Sequence, residues 1–202
     1  MFKSRLATVI STKGVPASLT QLASIQIPDM AEIEELISCP SDSDINDFIA
    51  YNLCQFVEDI EAFVMFIKTE CCEQECCKVM NAGPGNKYLW QQGTAQPVEI
   101  SSTEYCAKLL SWITEQLNNR AMFPIDEGQA YPKDFIKQVK VLFRRLFRVY
   151  MHIYHCHLTL VKKNGLEQKL QYCIKIYVEF MKKHKLCEDT DFDPIKPLLQ
   201  MM

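Results

Sequence analysis

Two short segments carry the residue types that could do chemistry. In "TECCEQECCKVM" Cys71, Cys72, Cys76 and Cys77 fall within seven residues, and "HIYHCH" supplies His152, His155 and His157 about 75 residues later. Structural zinc takes four thiolate or imidazole ligands in a tetrahedron, commonly as short-spaced pairs from two segments. Cys71 with Cys76 has the same spacing as Cys72 with Cys77, so spacing alone leaves the cysteine pair open. Histidines three apart share a helix face, whereas His152 and His157 are five apart and about 140° around the helix. An undistorted helix favours His152 with His155; use of His157 would require the helix to end or deform near Cys156. Four protein ligands leave no position for an activated water, which argues against a zinc hydrolase. The chain has no nucleophile elbow, phosphate-cradling glycine loop or metalloprotease helix motif, and no enzyme is expected.

A second constellation is basic. Lys140, Arg144 and Arg148 step by four and stack on one helix face, with Arg145 flanking them. Guanidinium groups bind phosphate through paired hydrogen bonds, and a phosphothreonine carrying about -1.5 to -2 charges suits such a cluster. From spacing alone, a solvated polar face is the favoured reading of the stripe, because most helices have such a face.

These groups must be positioned by helices. From Asp44, apolar residues recur at three- and four-residue steps through Phe48, Leu53, Phe56, Ile60, Phe63 and Ile67, with "SDSD" offering N-caps. The glycine- and proline-punctuated stretch after the cysteines holds two short apolar runs, Tyr88 to Trp90 and Val98 to Ile100, and predicts a small β-hairpin. Helical spacing resumes from Tyr105 to Leu117 and breaks at Pro124 and Gly128, in a loop ending near Pro132. A long face follows from Phe135 to Ile153, and a further helix is expected from about Leu166 to Lys185. The reading is all-α, a helical bundle with one hairpin, preceded by a tail over residues 1–30 without sustained periodicity.

Bulk properties agree. The 202 residues are 48% hydrophobic and 23% charged, the composition of one ordered globular domain. A net charge of -3 leaves no chain-wide positive field for nucleic acid, and no apolar run approaches the ~18 residues that cross a bilayer. Ten cysteines in a core-rich chain, four of them clustered, point to metal rather than a secreted disulfide framework. An intracellular location is expected.

The runs "LFRRLFRVYMHIYHCH" and "TECCEQECCKVMNAGP", with "KYLW", "FP" and "YPKDF" between them, resemble the Mob (Mps-one-binder) family over about residues 36 to 200, and within it the subgroup that activates NDR and LATS kinases. The resemblance implies a Mob domain over 31–202 behind a regulatory tail at 1–30, and a helical bundle stapled by one structural Zn2+. It implies a monomeric, non-catalytic coactivator of NDR/LATS-type AGC kinases in Hippo and mitotic-exit signalling. Registering "TE-x-C-x4-C-x-VM" and "HIYHxH" on this chain selects Cys72, Cys77, His152 and His157 as zinc ligands. By the same resemblance Arg144, Arg145 and Arg148, with Lys140 beside them, would receive phosphothreonine motifs of upstream Ste20/Hippo-type kinases. Asp44, Asp47 and Phe48 occupy the positions where the family meets a kinase's basic N-terminal extension. This chain has Ser43 and Gln55 at positions acidic in family activators, and "AQPVEI" where close relatives are lysine-rich. The competing readings are a phocein-like subunit of a striatin phosphatase assembly and, from a different class, a cysteine-based redox or metal sensor.

Overall fold

The computed structural model describes residues 29–126 and 128–199, together with Leu22 and Ile27. The expected tail therefore lies almost wholly outside the described residues. Helix α1 (Met30–Leu36) opens on a capping box in which Asp29 and Glu32 each accept the other's backbone N–H. Helices α2 (Ile45–Glu73), α3 (Ser102–Asn118), α4 (Phe135–Lys163) and α5 (Glu167–Lys183) follow, and α6 (Lys196–Leu199) closes the described chain. 3-10 segments occupy Glu75–Cys77 and Asp189–Ile195. The all-α expectation is met, and the four long helices begin within a few residues of where periodicity placed them.

The core forms where α2, α4 and α5 share faces. Phe56 of α2 meets Tyr177 of α5 at 4.7 Å between ring centroids, and Phe143 of α4 stacks on Phe180 at 5.7 Å. Burying each such ring contributes about 1.5–3 kcal/mol. The Tyr177 hydroxyl donates to the Phe143 carbonyl at 2.9 Å, so this fully buried phenol is also satisfied. Between α4 and α5, Gly165 at φ +70° lets Leu166 N–H reach Val161 O and its own N–H reach Lys162 O, the two bonds of a Schellman cap. That cap turns the chain back so that α5 lies against α4.

The expected hairpin is reduced to isolated antiparallel bridges, Asn81 with Lys87 and Trp90 with Val98, and the described residues contain no strand. The reason lies in the backbone bonds. Trp90 and Val98 exchange both N–H···O bonds at 2.9 Å, but Met80 then enters between the two runs. Its N–H donates to Ile100 O at 2.9 Å and its carbonyl accepts Tyr88 N–H at 2.8 Å, taking the groups that would have continued the ladder. This irregular segment packs Trp90 edge-on to Tyr105 of α3 at 5.4 Å. Among the described residues no helix is long and apolar enough to cross a membrane.

Candidate metal centre and basic face

Helix α2 carries its buried face through Ile60, Phe63 and Ile67 to Cys71, one turn further on. The last turn holds Glu70 and Glu73 and no basic residue, the unfavourable sign for the negative end of a helix dipole. The helix stops at Gln74, which is extended, and the 3-10 turn Glu75–Cys77 swings Cys77 back beneath Cys71. Across from them α4 presents His152 and His157. Cys71 Sγ and Cys77 Sγ each lie 3.6 Å from His152 Nε2, and Cys77 Sγ lies 3.4 Å from His157 Nε2. One ligand atom from each of the four falls within 4.8 Å of all the others, and all four residues are buried.

The three sulfur-to-nitrogen separations match a tetrahedron. Bonds of about 2.0–2.3 Å from zinc to nitrogen and sulfur place neighbouring ligand atoms about 3.3–3.8 Å apart. The surroundings support the same reading. His152 Nδ1–H donates to the Asn81 carbonyl at 2.9 Å, which leaves Nε2 unprotonated and aimed into the cluster. His157 Nδ1 faces Glu70 Oε2 at 3.8 Å, and both atoms are buried without a hydrogen-bond partner. A small adjustment of Glu70 would make that carboxylate the orienting group of His157. Burial holds His152 below the ordinary imidazole range and brings His157 down to about 4, with neighbouring His152 adding to the effect. Burial also pushes the Cys71 and Cys77 thiols up, so without a cation the cluster is a neutral set of donors. A divalent ion reverses that preference by stabilising thiolates.

Three of the four expected ligands are brought together, and the fourth residue of the buried group is Cys71 rather than Cys72. Cys72 is exposed, with its sulfur 3.7 Å from Thr103 Oγ1, because the next residue of a helix points about 100° away from Cys71. The expectation that His157 would require α4 to break near Cys156 is also overturned, since α4 is continuous to Lys163. The centre lies between the two radial directions, and ring centroids 5.1 Å apart show side-chain reach spanning the gap. His155 points elsewhere, against Gly83, where an added Cβ would come within 3.1 Å of its ring nitrogen.

The arginines of α4 each take their own partners. Arg144 bonds to Asp191 through Nε at 2.9 Å and Nη2 at 2.8 Å. Arg145 lies over the rings of Trp112 at 4.7 Å and Trp90 at 5.3 Å and donates to Gln91 O at 2.7 Å. Arg148 lies over Tyr88 at 5.1 Å and donates to Tyr105 Oη at 3.0 Å. The spacing that found the arginines could not find these aromatic seats, which come from α3 and the irregular segment. Burial lowers the Arg145 pKa, and the adjacent Arg148 cation acts in the same direction. Among the described residues neither Arg145 nor Arg148 has a carboxylate within ion-pair distance. Lys140 stands one turn before Arg144 and is half-buried.

The expected kinase-facing group behaves differently. Asp44 is the N-cap of α2, accepting Asn46 N–H at 2.7 Å and Asp47 N–H at 3.2 Å. Asp47 accepts the Tyr131 hydroxyl at 2.8 Å. Phe48 is not a surface residue: it is 5% exposed and packs on Phe180 at 5.7 Å and His184 at 5.6 Å. Its position in the apolar repeat of α2 takes it inward.

The profile of the Mob1/phocein family matches residues 26–195. The chain is 34% identical over 172 residues to MOB kinase activator-like 1 homolog A of Dictyostelium discoideum, covering 84% of this chain and 80% of that protein. It is 33% identical over 170 residues to MOB kinase activator-like 1B of Arabidopsis thaliana, covering 83% and 79%. It is 34% identical over 170 residues to the maintenance of ploidy protein mob1 of Schizosaccharomyces pombe, covering 83% and 80%. With similarity running through all of α2 to α5, the chain belongs to the Mob1/phocein family.

Proposed function

We propose that this chain is a non-catalytic scaffold that binds and activates an NDR/LATS-type kinase and receives phosphothreonine motifs on the face formed by Arg144, Arg145 and Arg148. Members of the family are regulatory, non-catalytic scaffolds, and the relatives named as kinase activators support a kinase partner. The observation that carries the phosphate reading is the juxtaposition of Arg145 and Arg148, held on aromatic rings with no carboxylate neutralising either among the described residues. Each cation disfavours the other, and a phosphate dianion relieves that repulsion while accepting several guanidinium hydrogen bonds. Lys140 adds charge at the edge. The ring seats fix the guanidinium planes in advance, so less side-chain freedom is lost when the ligand binds.

The metal held by Cys71, Cys77, His152 and His157 is proposed to be one structural zinc ion. It ties the end of α2 to the middle of α4, and its role is to fix the fold that presents the arginines. At the other end of α2, Asp44 and Asp47 are proposed to attract the basic extension of the kinase. Phe48 contributes beneath them as packing, not as contact surface. We further propose that residues 31–202 are the Mob domain behind a regulatory tail, and that the protein works as a monomer in the cytoplasm.

Calorimetry with a phosphothreonine peptide and its unphosphorylated counterpart tests the phosphate reading. Selective binding that weakens at least tenfold, about 1.4 kcal/mol, in Arg145→Ala and Arg148→Ala is the expected result. Equal affinity for the two peptides would remove it.

A further inference from the structure

Beside the metal cluster, and outside it, an open cavity of about 550 Å³ is lined by Cys76 and Cys156 together with Asn81, Gly83 and His155. Cys76 is exposed and Cys156 half-buried, so solvent reaches the first and the cavity reaches both. One side-chain amide holds the two residues together. Asn81 Nδ2 donates to the Cys76 carbonyl, and Asn81 Oδ1 accepts the Cys156 thiol at 3.5 Å.

We infer that Cys76 and Cys156 are a dithiol site for peroxide, closing to an intrachain disulfide that clamps the turn bearing Cys77 onto α4. The Cys76 thiolate, as the exposed partner, attacks one peroxide oxygen. The O–O bond breaks, Cys76 becomes a sulfenic acid, and the departing hydroxide takes a proton to leave as water. Cys156 then attacks the Cys76 sulfur, its thiol proton passing to the departing hydroxide. The S–S bond forms as the S–O bond breaks, and a second water leaves. Two thiols supply the two electrons that reduce one peroxide to two waters. Neither residue belongs to the buried four-ligand group, so the clamp forms without consuming a metal ligand. It joins the Glu75–Cys77 turn to the helix that carries both cluster histidines, binding the two halves of that centre a second time.

The competition to be excluded is local, because the Cys76 sulfur also lies 3.8 Å from that of Cys77. The test treats the zinc-loaded full chain with dilute hydrogen peroxide, digests it without reductant and maps disulfides by mass spectrometry, counting zinc before and after. The expected product links Cys76 to Cys156, is reversed by a thiol reductant, retains zinc, and is abolished by Cys76→Ser and by Cys156→Ser. Products linking Cys76 to Cys71, Cys72 or Cys77 with zinc released would overturn the inference. So would a Cys76 sulfinic acid with Cys156 still reduced. A purified chain that holds no zinc yet forms the Cys76–Cys156 link would support this pair while counting against the metal reading, so the two fail separately.

Discussion

At the scale of single residues, adjacent cysteines divide between interior and solvent by a one-residue step of helix. Cys71 continues the buried stripe of α2 and Cys72 does not. Cys71→Ser should therefore lower the zinc content of the purified chain well below one ion, while Cys72→Ser should leave it near one; elemental analysis of the two variants decides. A reversed outcome would restore the registration by motif and require the end of α2 to rotate. Asp59 supplies a second test. Burial, and then Glu58, raise its carboxyl from 3.8 to about 7. Between those values the unfolded chain has released the proton and the folded chain still holds it, so Asp59 makes stability fall as pH rises from about 4 to 7. Denaturant titrations of wild type and Asp59→Asn across that window should show the variant gaining on the wild type towards pH 7. An unchanged difference would mean that Asp59 is better solvated than its position indicates.

At the scale of elements, the end of α5 contains a correctable strain. Lys185 adopts φ +54° at the position where α4 uses Gly165, with Leu186 N–H bonding to Met181 O in the same Schellman pattern. A side chain there costs about 1 kcal/mol, so Lys185→Gly should stabilise the chain by about that much and raise Tm by roughly 2–4 °C. A lower Tm would show that the lysine makes a compensating contact. Much of this level was legible in the sequence. The periods of α2 to α5 were strong because each helix buries a single stripe, and the break at Pro124 and Gly128 was real. Helix α1 was missed although Asp29 and Glu32 spell a capping box, because seven residues are too few for periodicity to register. The hairpin was over-read for a different reason. Alternating apolar runs report which side chains are buried, not which backbone groups pair, and Met80 was the unforeseen partner.

At the scale of the whole molecule, the proposed metal centre would join segments about 75 residues apart and hold the acid-rich end of α2 against α4. Removing zinc with a chelator should raise amide exchange first over residues 71–81 and then lower the thermal midpoint of the whole chain. Loss of metal with exchange unchanged in that segment would make the cluster a passenger rather than a staple. The ligand types and the arginine spacing were visible in the sequence. The three-dimensional partners were not: Asn81 orienting His152, Glu70 facing His157, and Trp90, Trp112, Tyr88 and Tyr105 seating the guanidiniums all come from other elements. For the same reason the matched position of Phe48 gives no account of the helix face on which it lies. The central claim is that this scaffold engages a kinase, and calorimetry with a basic N-terminal extension peptide of an NDR/LATS-type kinase, run beside a striatin fragment, tests it most directly. Micromolar or tighter binding to the kinase peptide, weakened by Asp47→Lys, is the predicted result, and binding to the striatin fragment alone would contradict it.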